Sequence, residues 1–305
     1  MRFFESKRPF KAFDLEFEKG LMESLAGLLF GTIALRPYVF IFLLVYLIGC
    51  SLHLGLKRAV SFCVAGYFVT WLSEYSSIHN GFPYGYYIYA GTTMGRELWI
   101  LGVPFMDSLS YVFLAYASFS LALLAVSPVR LEKKVIYILE TKGLRYSLKT
   151  TVLGALFMTC LDVIIDPVAL RGERWFLGKI HEYPAGGVYF GVPISNFAGW
   201  FLVGFILILT LQRIDKYLGE AGDITGYRFS WRYLIGPALY YSVLLFNLCI
   251  TFFIGEYAMA GTGFFIVVCL TTLLLYSKAR LSSGGEAEAA LSAHLDDFPM
   301  AETVK

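Results

Sequence analysis

Leu161-Asp162-Val163-Ile164-Ile165-Asp166-Pro167 closes one long apolar run, and Gly191-Val192-Pro193-Ile194-Ser195-Asn196-Phe197-Ala198-Gly199-Trp200 opens the next. Apolar runs approaching 20 residues read as helices that cross a bilayer. Two carboxylates and an amide at the ends of such runs are costly unless they face the interior of a bundle. This stretch therefore points both to the fold, a set of packed membrane helices, and to the place where chemistry should be sought.

Working outward, composition agrees. Hydrophobic residues make up 57% of the chain and charged residues 16%, against about a quarter charged in an ordinary soluble domain. The 305 residues suffice for seven to eight spans of roughly 20 residues each, an all-α polytopic bundle with no separate soluble domain. A net charge of +2, with basic residues scattered between spans, excludes a nucleic-acid partner. Cys50, Cys63, Cys160, Cys249 and Cys269 lie inside apolar runs without any Cys-x-x-Cys pair, so neither a zinc site nor a disulfide framework is expected. The first twenty residues lack the pattern of a cleaved secretory signal.

The chain divides into three parts. Residues 1–20 mix Arg2, Lys7, Arg8, Lys11 and Lys19 with five phenylalanines, a composition suited to the headgroup region. Residues 21–277 form one membrane-embedded domain. Residues 278–305, small and acidic beyond Lys278, read as a disordered tail. Within the domain, spans are expected over 38–56, 59–78, 104–126, 150–166, 189–211, 233–254 and 261–276. Leu21 to Leu35 is either a tilted first span or a re-entrant piece.

Orientation follows from the excess of Lys and Arg in cytoplasmic loops. Arg130, Lys133, Lys134, Lys142, Arg145 and Lys149 mark one such loop, Arg213, Lys216, Arg228 and Arg232 another, and Lys57-Arg58 a third. Counting 21–35 as a crossing keeps the basic N-terminus inside as well. The expectation is eight spans in the cytoplasmic membrane with both termini cytoplasmic. The loops 79–103 and 168–188 then share the opposite side.

A repeat runs through these loops. Gly102-Val103-Pro104-Phe105-Met106-Asp107-Ser108-Leu109-Ser110-Tyr111 matches Gly191 to Trp200, with Asp107 against Asn196 and Tyr111 against Trp200. The preceding span ends in acid each time, Glu74 in one half and Asp162 in the other. Proline is favoured where a helix begins, because its missing N–H has no partner to lose there. Asp107 and Asn196 thus fall one turn into their helices. Repeated halves bring sites together at their interface in many membrane proteins, so Glu74, Asp107, Asp162, Asp166 and Asn196 are expected to line one cavity.

Asp162 and Asp166, four apart, share a helix face. Pro167 disfavours helix at Asp166 and should hold that residue at the bilayer boundary, while Asp162 lies deeper. Asp107 and Asn196 also suit a helix-capping or helix-joining role. His53, His79, His181 and His294 form no ligand set, and His79 or His181 in the outer loops is suited to shuttling a proton. The loop Gly81-Phe82-Pro83-Tyr84-Gly85-Tyr86-Tyr87-Ile88-Tyr89 is dense in aromatics and glycine. Rings there can form an interfacial belt or line a slot whose electron-rich faces stabilise a cation.

Together these residues resemble the integral-membrane carotenoid hydratases of bacteria and haloarchaea, which add water to the ψ-end of a carotenoid. The likeness is carried by Glu74 with Gly81-Phe82-Pro83-Tyr84-Gly85-Tyr86-Tyr87, by Gly102-Val103-Pro104, by Leu161-Asp162 with Asp166-Pro167, and by Gly191-Val192-Pro193 with Asn196 and Gly199-Trp200. Tyr84 stands where the family pattern has Phe. The resemblance covers about residues 60 to 205. It implies a carotenoid substrate in membrane lipid, association with other carotenoid-pathway enzymes, and no cofactor or metal.

Hydrating a trisubstituted alkene needs a proton donor in a water-poor site, stabilisation of a tertiary carbocation and a group to position water. A carboxyl group in an apolar site keeps its proton because desolvation disfavours the charged form. Asp162 or Glu74 is the expected donor, the other or Asp107 the base, and Asn196 the residue that holds water, with Asp166 beside them. Trp71, Tyr75, Phe82, Tyr84, Tyr86, Tyr87 and Trp200 are the expected substrate-binding rings. Rival readings are a carotenoid end-group cyclase, which shares the protonation step, a magnesium-dependent prenyl transferase suggested by the Asp162/Asp166 spacing, and a membrane transporter of a small apolar or ionic substrate.

Overall fold

The computed structural model describes residues 24–132, 135–219, 231–281 and 285–298; the basic segment 1–20, together with Glu23, Lys133, Lys134 and Arg228, lies outside them. Helix dominates, and sheet is confined to three two-stranded ribbons in the loops.

The chain begins with α1 (Leu25–Leu35) and α2 (Pro37–His53), bent by 91° across Arg36. Pro37 forces the break, since the residue before a proline is driven out of helical geometry and Pro itself is at home at a helix start. At about 1.5 Å per residue, the 11 residues of α1 reach only about half of a ~30 Å hydrocarbon layer. Of the two expectations for 21–35, α1 alone is too short for a full separate crossing, and with α2 it forms a broken span or a re-entrant piece. Helix α1 lies across one end of the bundle. Thr32 accepts a bond from the Leu98 backbone at 2.8 Å, and Gly31 sits so close to the Arg96 carbonyl that a side chain there would collide with it. The elbow is pinned by Arg36, which is buried, pairs with Glu97 at 3.2 Å and bonds the Leu177 carbonyl.

Six more long helices follow: α3 (Leu56–Asn80), α4 (Phe105–Val126), α6 (Leu148–Ala169), α7 (Ile194–Tyr217), α8 (Arg232–Phe253) and α9 (Tyr257–Leu281); the single turn α5 (Lys142–Arg145) precedes α6. By length and apolarity α4, α6, α7, α8 and α9 qualify as spans, and the bent pair α1–α2 counts as a sixth. At 25 residues α3 has the length. Its apolarity is diluted by Lys57 and Arg58 at one end and by Ser73, Glu74, Ser76, Ser77 and His79 at the other.

The centre of the bundle is α4, which packs against every other long helix and has 89% of its apolar window buried, whereas α9 has 22%. Small residues explain this position. Ala115, Ala117, Ser118, Ser120 and Ala122 are all buried and let neighbouring backbones approach closely. Gly236 of α8 sits directly against Ser120.

The end opposite α1 carries a buried ionic network. Arg58 meets Asp215 at 2.6 Å, Arg145 meets Asp215 at 3.2 Å and also Glu140, and His53 meets Glu140 at 3.1 Å. Burial alone raises the Glu140 carboxyl, but Arg145 and His53 outweigh it and hold the group well below the usual carboxylate range. The acidic tail expected to be disordered instead contains α10 (Gly285–Asp297). Its Ala- and Glu-rich sequence has good helix propensity, and its contacts to the neighbouring loop include His294 to the Glu140 carbonyl at 2.6 Å and Asp297 to the Lys142 backbone N–H at 2.7 Å.

Candidate functional site

The two halves of the repeat adopt the same backbone. Leu101 (φ 49°) and Gly102 (φ 83°) form one tight turn, and Phe190 (φ 48°) and Gly191 (φ 94°) form the other. Two successive residues at positive φ define the hairpin turn whose twist suits paired strands. Accordingly β2 (Trp99–Ile100) pairs with β3 (Val103–Pro104), and Tyr189 bridges Val192. Each turn delivers a proline at the N-cap, Pro104 for α4 and Pro193 for α7. Asp107 and Asn196 consequently occupy the same helical position, one turn deep.

All five polar residues expected from the sequence meet at one cavity of about 90 Å³ at the α1 end of the bundle. Glu74 is buried and accepts hydroxyl bonds from Tyr87, Tyr111 and, at 2.7 Å, Tyr89. The Tyr89 hydroxyl also touches Asp107 Oδ2 at 2.6 Å. A phenol has one proton, so one of these two contacts requires a proton on a carboxyl group. Burial, then Asp107, then Glu74 hold the Tyr89 phenol protonated far above its ordinary range.

The second half has the same form. Asn196 Nδ2 donates to Asp162 Oδ2 at 2.6 Å and to Asp166 Oδ2 at 3.1 Å. Asp166 also accepts from His181 at 2.9 Å and Tyr183 at 2.9 Å. Asp162 Oδ1 is buried and has no hydrogen-bond partner among the described residues. Glu74 and Asp166 thus receive three donors each, while Asp162 keeps an uncommitted oxygen. Burial opposes a charge on His181, but Asp166, with Asp107 and Glu74 behind it, more than offsets this and raises the imidazole above its ordinary value.

Asp166 does not end its helix at the boundary. Helix α6 runs on through Pro167 to Ala169, because three tertiary partners fix Asp166 and outweigh the local bias of a pre-proline residue. It is 6% exposed, a member of the site and not a solvated terminus.

The expected aromatic set divides. Tyr84, Tyr87 and Trp200 line the cavity, and Trp200 stacks on Tyr111 at 4.3 Å. Trp71, Tyr75, Phe82 and Tyr86 do not line it. The Trp71 ring stacks on Tyr75 and bonds the Ile100 carbonyl, while Phe82 and Tyr86 are 63% and 55% exposed. For Tyr86 the reason is extended-chain alternation, which sends successive side chains to opposite faces. In and beside β1 (Ile88–Tyr89), Tyr87 and Tyr89 point inward, and Tyr86 and Ile88 outward. Its partner β4 (His181–Glu182) sets Tyr89 opposite His181, and Tyr183 follows two residues later on the same face. Tyr89, Tyr111 and Tyr183 were not singled out as site residues from the sequence. The i, i+2 spacing of His181 and Tyr183, mirroring Tyr87 and Tyr89, is the signal that could have found Tyr183.

A larger groove of about 880 Å³ lies between α4, α6 and α9 toward the other end, lined by apolar side chains with Lys149 and Arg280. Among the described residues no carboxylate lines it, whereas four carboxyl groups line the smaller cavity.

Residues 25–274 match the family described as carotenoid biosynthesis protein. The chain is also 29% identical over 195 residues to the bisanhydrobacterioruberin hydratase of Haloarcula japonica, an alignment covering 62% of this chain and 58% of that protein. The chain therefore spans less than two thirds of that relative's length. No solved structure matches.

Proposed function

The chain belongs to the carotenoid biosynthesis protein family, and we propose that it is a carotenoid hydratase acting on the terminal double bond of a ψ-end. The observation that carries this reading is the cavity in which Glu74, Asp107, Asp162, Asp166 and Asn196 face one another among Tyr84, Tyr87, Tyr111 and Trp200. Carboxyl groups and aromatic rings suited to act as acid, base and cation stabiliser line this one cavity.

Asp162 is the proton donor. Its free Oδ1 carries the proton, whose transfer to the less substituted alkene carbon uses the π pair to form a C–H bond and leaves a tertiary cation. Ring faces stabilise that cation. A water oxygen closes on it, and the released proton passes to Glu74, whose three tyrosine donors stabilise the anion that waits for it. Water in the cavity returns the proton to Asp162, so the cycle consumes only water and alkene. Asp107, linked to Glu74 through Tyr89, holds the second proton of that relay. Asn196 orients Asp162, and Asp166 with His181 fixes Asn196.

Expression in a host that makes lycopene tests the reading. Hydration adds the mass of one water and a hydroxyl group to the pigment, whereas a cyclase leaves the mass unchanged. Pigment of unaltered mass and structure would count against both enzymes and favour transport.

A further inference from the structure

Beside the acid cavity lies a second chamber of about 100 Å³. Asp107, Ser110, Leu114, Ile165 and Ala169 line both spaces, so the two meet along the facing surfaces of α4 and α6. The second chamber is otherwise apolar, with Val39, Phe113 and Val243 among its buried walls. Asn247 adds an amide to the lining and donates one of its two N–H groups to the Val243 carbonyl at 2.9 Å.

The outer wall is a seam between α2 and α8. Tyr38 and Phe246 stack across it with ring centroids 5.2 Å apart and planes 21° from parallel. Phe246 also meets Phe42 and Trp175. These rings are half-buried. On either side, Ile41 and Leu44 of α2 and Leu245 of α8 are exposed large apolar residues, so the seam opens toward lipid. The α7 side of the site is closely packed. Gly199 of α7 packs directly against the Pro83 backbone and the Tyr84 ring, and the Tyr84, Tyr111 and Trp200 rings pack together behind it.

Building on the hydratase reading, we propose that this chamber binds the acyclic isoprenoid end of the substrate, and that the Tyr38/Phe246 seam is the lateral door through which that end arrives from the bilayer. A polyene dissolves in the membrane and not in water, so its route to a buried site runs between helices. The acid cavity, lined by eleven ionisable or amide side chains among its sixteen residues, suits water and the reacting carbons. The methyl-branched chain behind them needs apolar walls. The shared wall at Asp107 and Ser110 brings the terminal alkene to the carboxyl groups while the chain leaves between aromatic faces. The two rings stack on each other with centroids 5.2 Å apart, so a flat conjugated chain enters when they part and present their faces to it.

The test uses the full-length protein in a host that makes lycopene. Asp162→Asn, which cannot turn the substrate over, should co-purify with pigment in detergent. Adding Val243→Phe, which fills the chamber from α8 and substitutes none of the carboxyl groups, should lower bound pigment by about tenfold at unchanged elution volume. Phe246→Ala, at the lipid-facing seam, should raise KM for lycopene in liposomes by up to about tenfold, the value of one aromatic contact. Its kcat should stay within about twofold, since Phe246 touches no reacting atom. Undiminished pigment in the double variant, or an unchanged KM in Phe246→Ala, overturns the proposal. Failure of the wild type to hydroxylate any pigment is a separate result that strikes the hydratase reading itself.

Discussion

Replacing Asp162 by Asn separates chemistry from structure at the centre of the site. The side chain keeps its volume, and an amide oxygen can still accept from Asn196 as Oδ2 does now at 2.6 Å. Oδ1 has no partner to lose among the described residues. The structural cost should therefore be that of weakening one buried hydrogen bond, about 1 kcal/mol. The chemical cost is much larger, because an amide cannot deliver a proton to an alkene. General acid catalysis contributes roughly 100- to 10,000-fold, equivalent to about 2.7–5.4 kcal/mol at 1.36 kcal/mol per tenfold. The assay is conversion of lycopene to hydroxylated product by chromatography and mass, normalised to protein in the membrane, with thermal unfolding in detergent alongside. Turnover within about threefold of the wild type, in a protein of unchanged stability, would remove Asp162 from the mechanism.

Four further outcomes follow from the geometry. Tyr89→Phe deletes the hydroxyl shared by Glu74 and Asp107 and should lower stability by about 1–3 kcal/mol, read as a fall in unfolding temperature, together with activity. Arg36→Met strands Glu97 in a pair whose side chains are each 1% exposed and should cost about 3–5 kcal/mol, whereas Arg36→Met with Glu97→Met should recover much of it; a double variant no better than the single would refute the ion-pair account. Gly199→Ala pushes a methyl group into the Pro83 backbone and the Tyr84 ring, at a cost of about 1–3 kcal/mol, and should impair turnover by displacing Tyr84. His181 has a raised imidazole value owing to Asp166, so its contribution to stability is complete below the ordinary imidazole range and is lost as pH rises through the elevated one. The wild-type unfolding temperature should fall across that interval, and His181→Gln should flatten the dependence.

The membrane bundle and the polar residues that converge on one cavity were legible in the linear order because both leave one-dimensional traces. Long apolar runs record burial in lipid, and Glu74, Asp107, Asp162 and Asn196 stand out as polar groups that such runs tolerate only when they face inward. The repeated Gly-Val-Pro turns likewise announced two equivalent helix starts, which the paired positive-φ residues Leu101 and Phe190 reproduce. Where reading failed, tertiary contacts had overruled a local rule. Pro167 predicted a helix end, but Asn196, His181 and Tyr183 hold Asp166 inside. The tail composition predicted disorder, but α10 found a partner in the loop around Glu140.

By itself, then, the sequence determined that this is a helical membrane protein with two matched polar span ends, because hydropathy and backbone chemistry act residue by residue along the chain. Only the tertiary structure decided which rings enter the site, since that depends on the pairing of Tyr89 with His181 across a ribbon of distant loops. It alone showed that α1 lies across the bundle end, where the Arg36–Glu97 pair holds it. It also decided which carboxyl groups are fully supplied with donors and which keep an oxygen free. That division is set by how many donors converge on one point in space, a quantity that no spacing along the chain records.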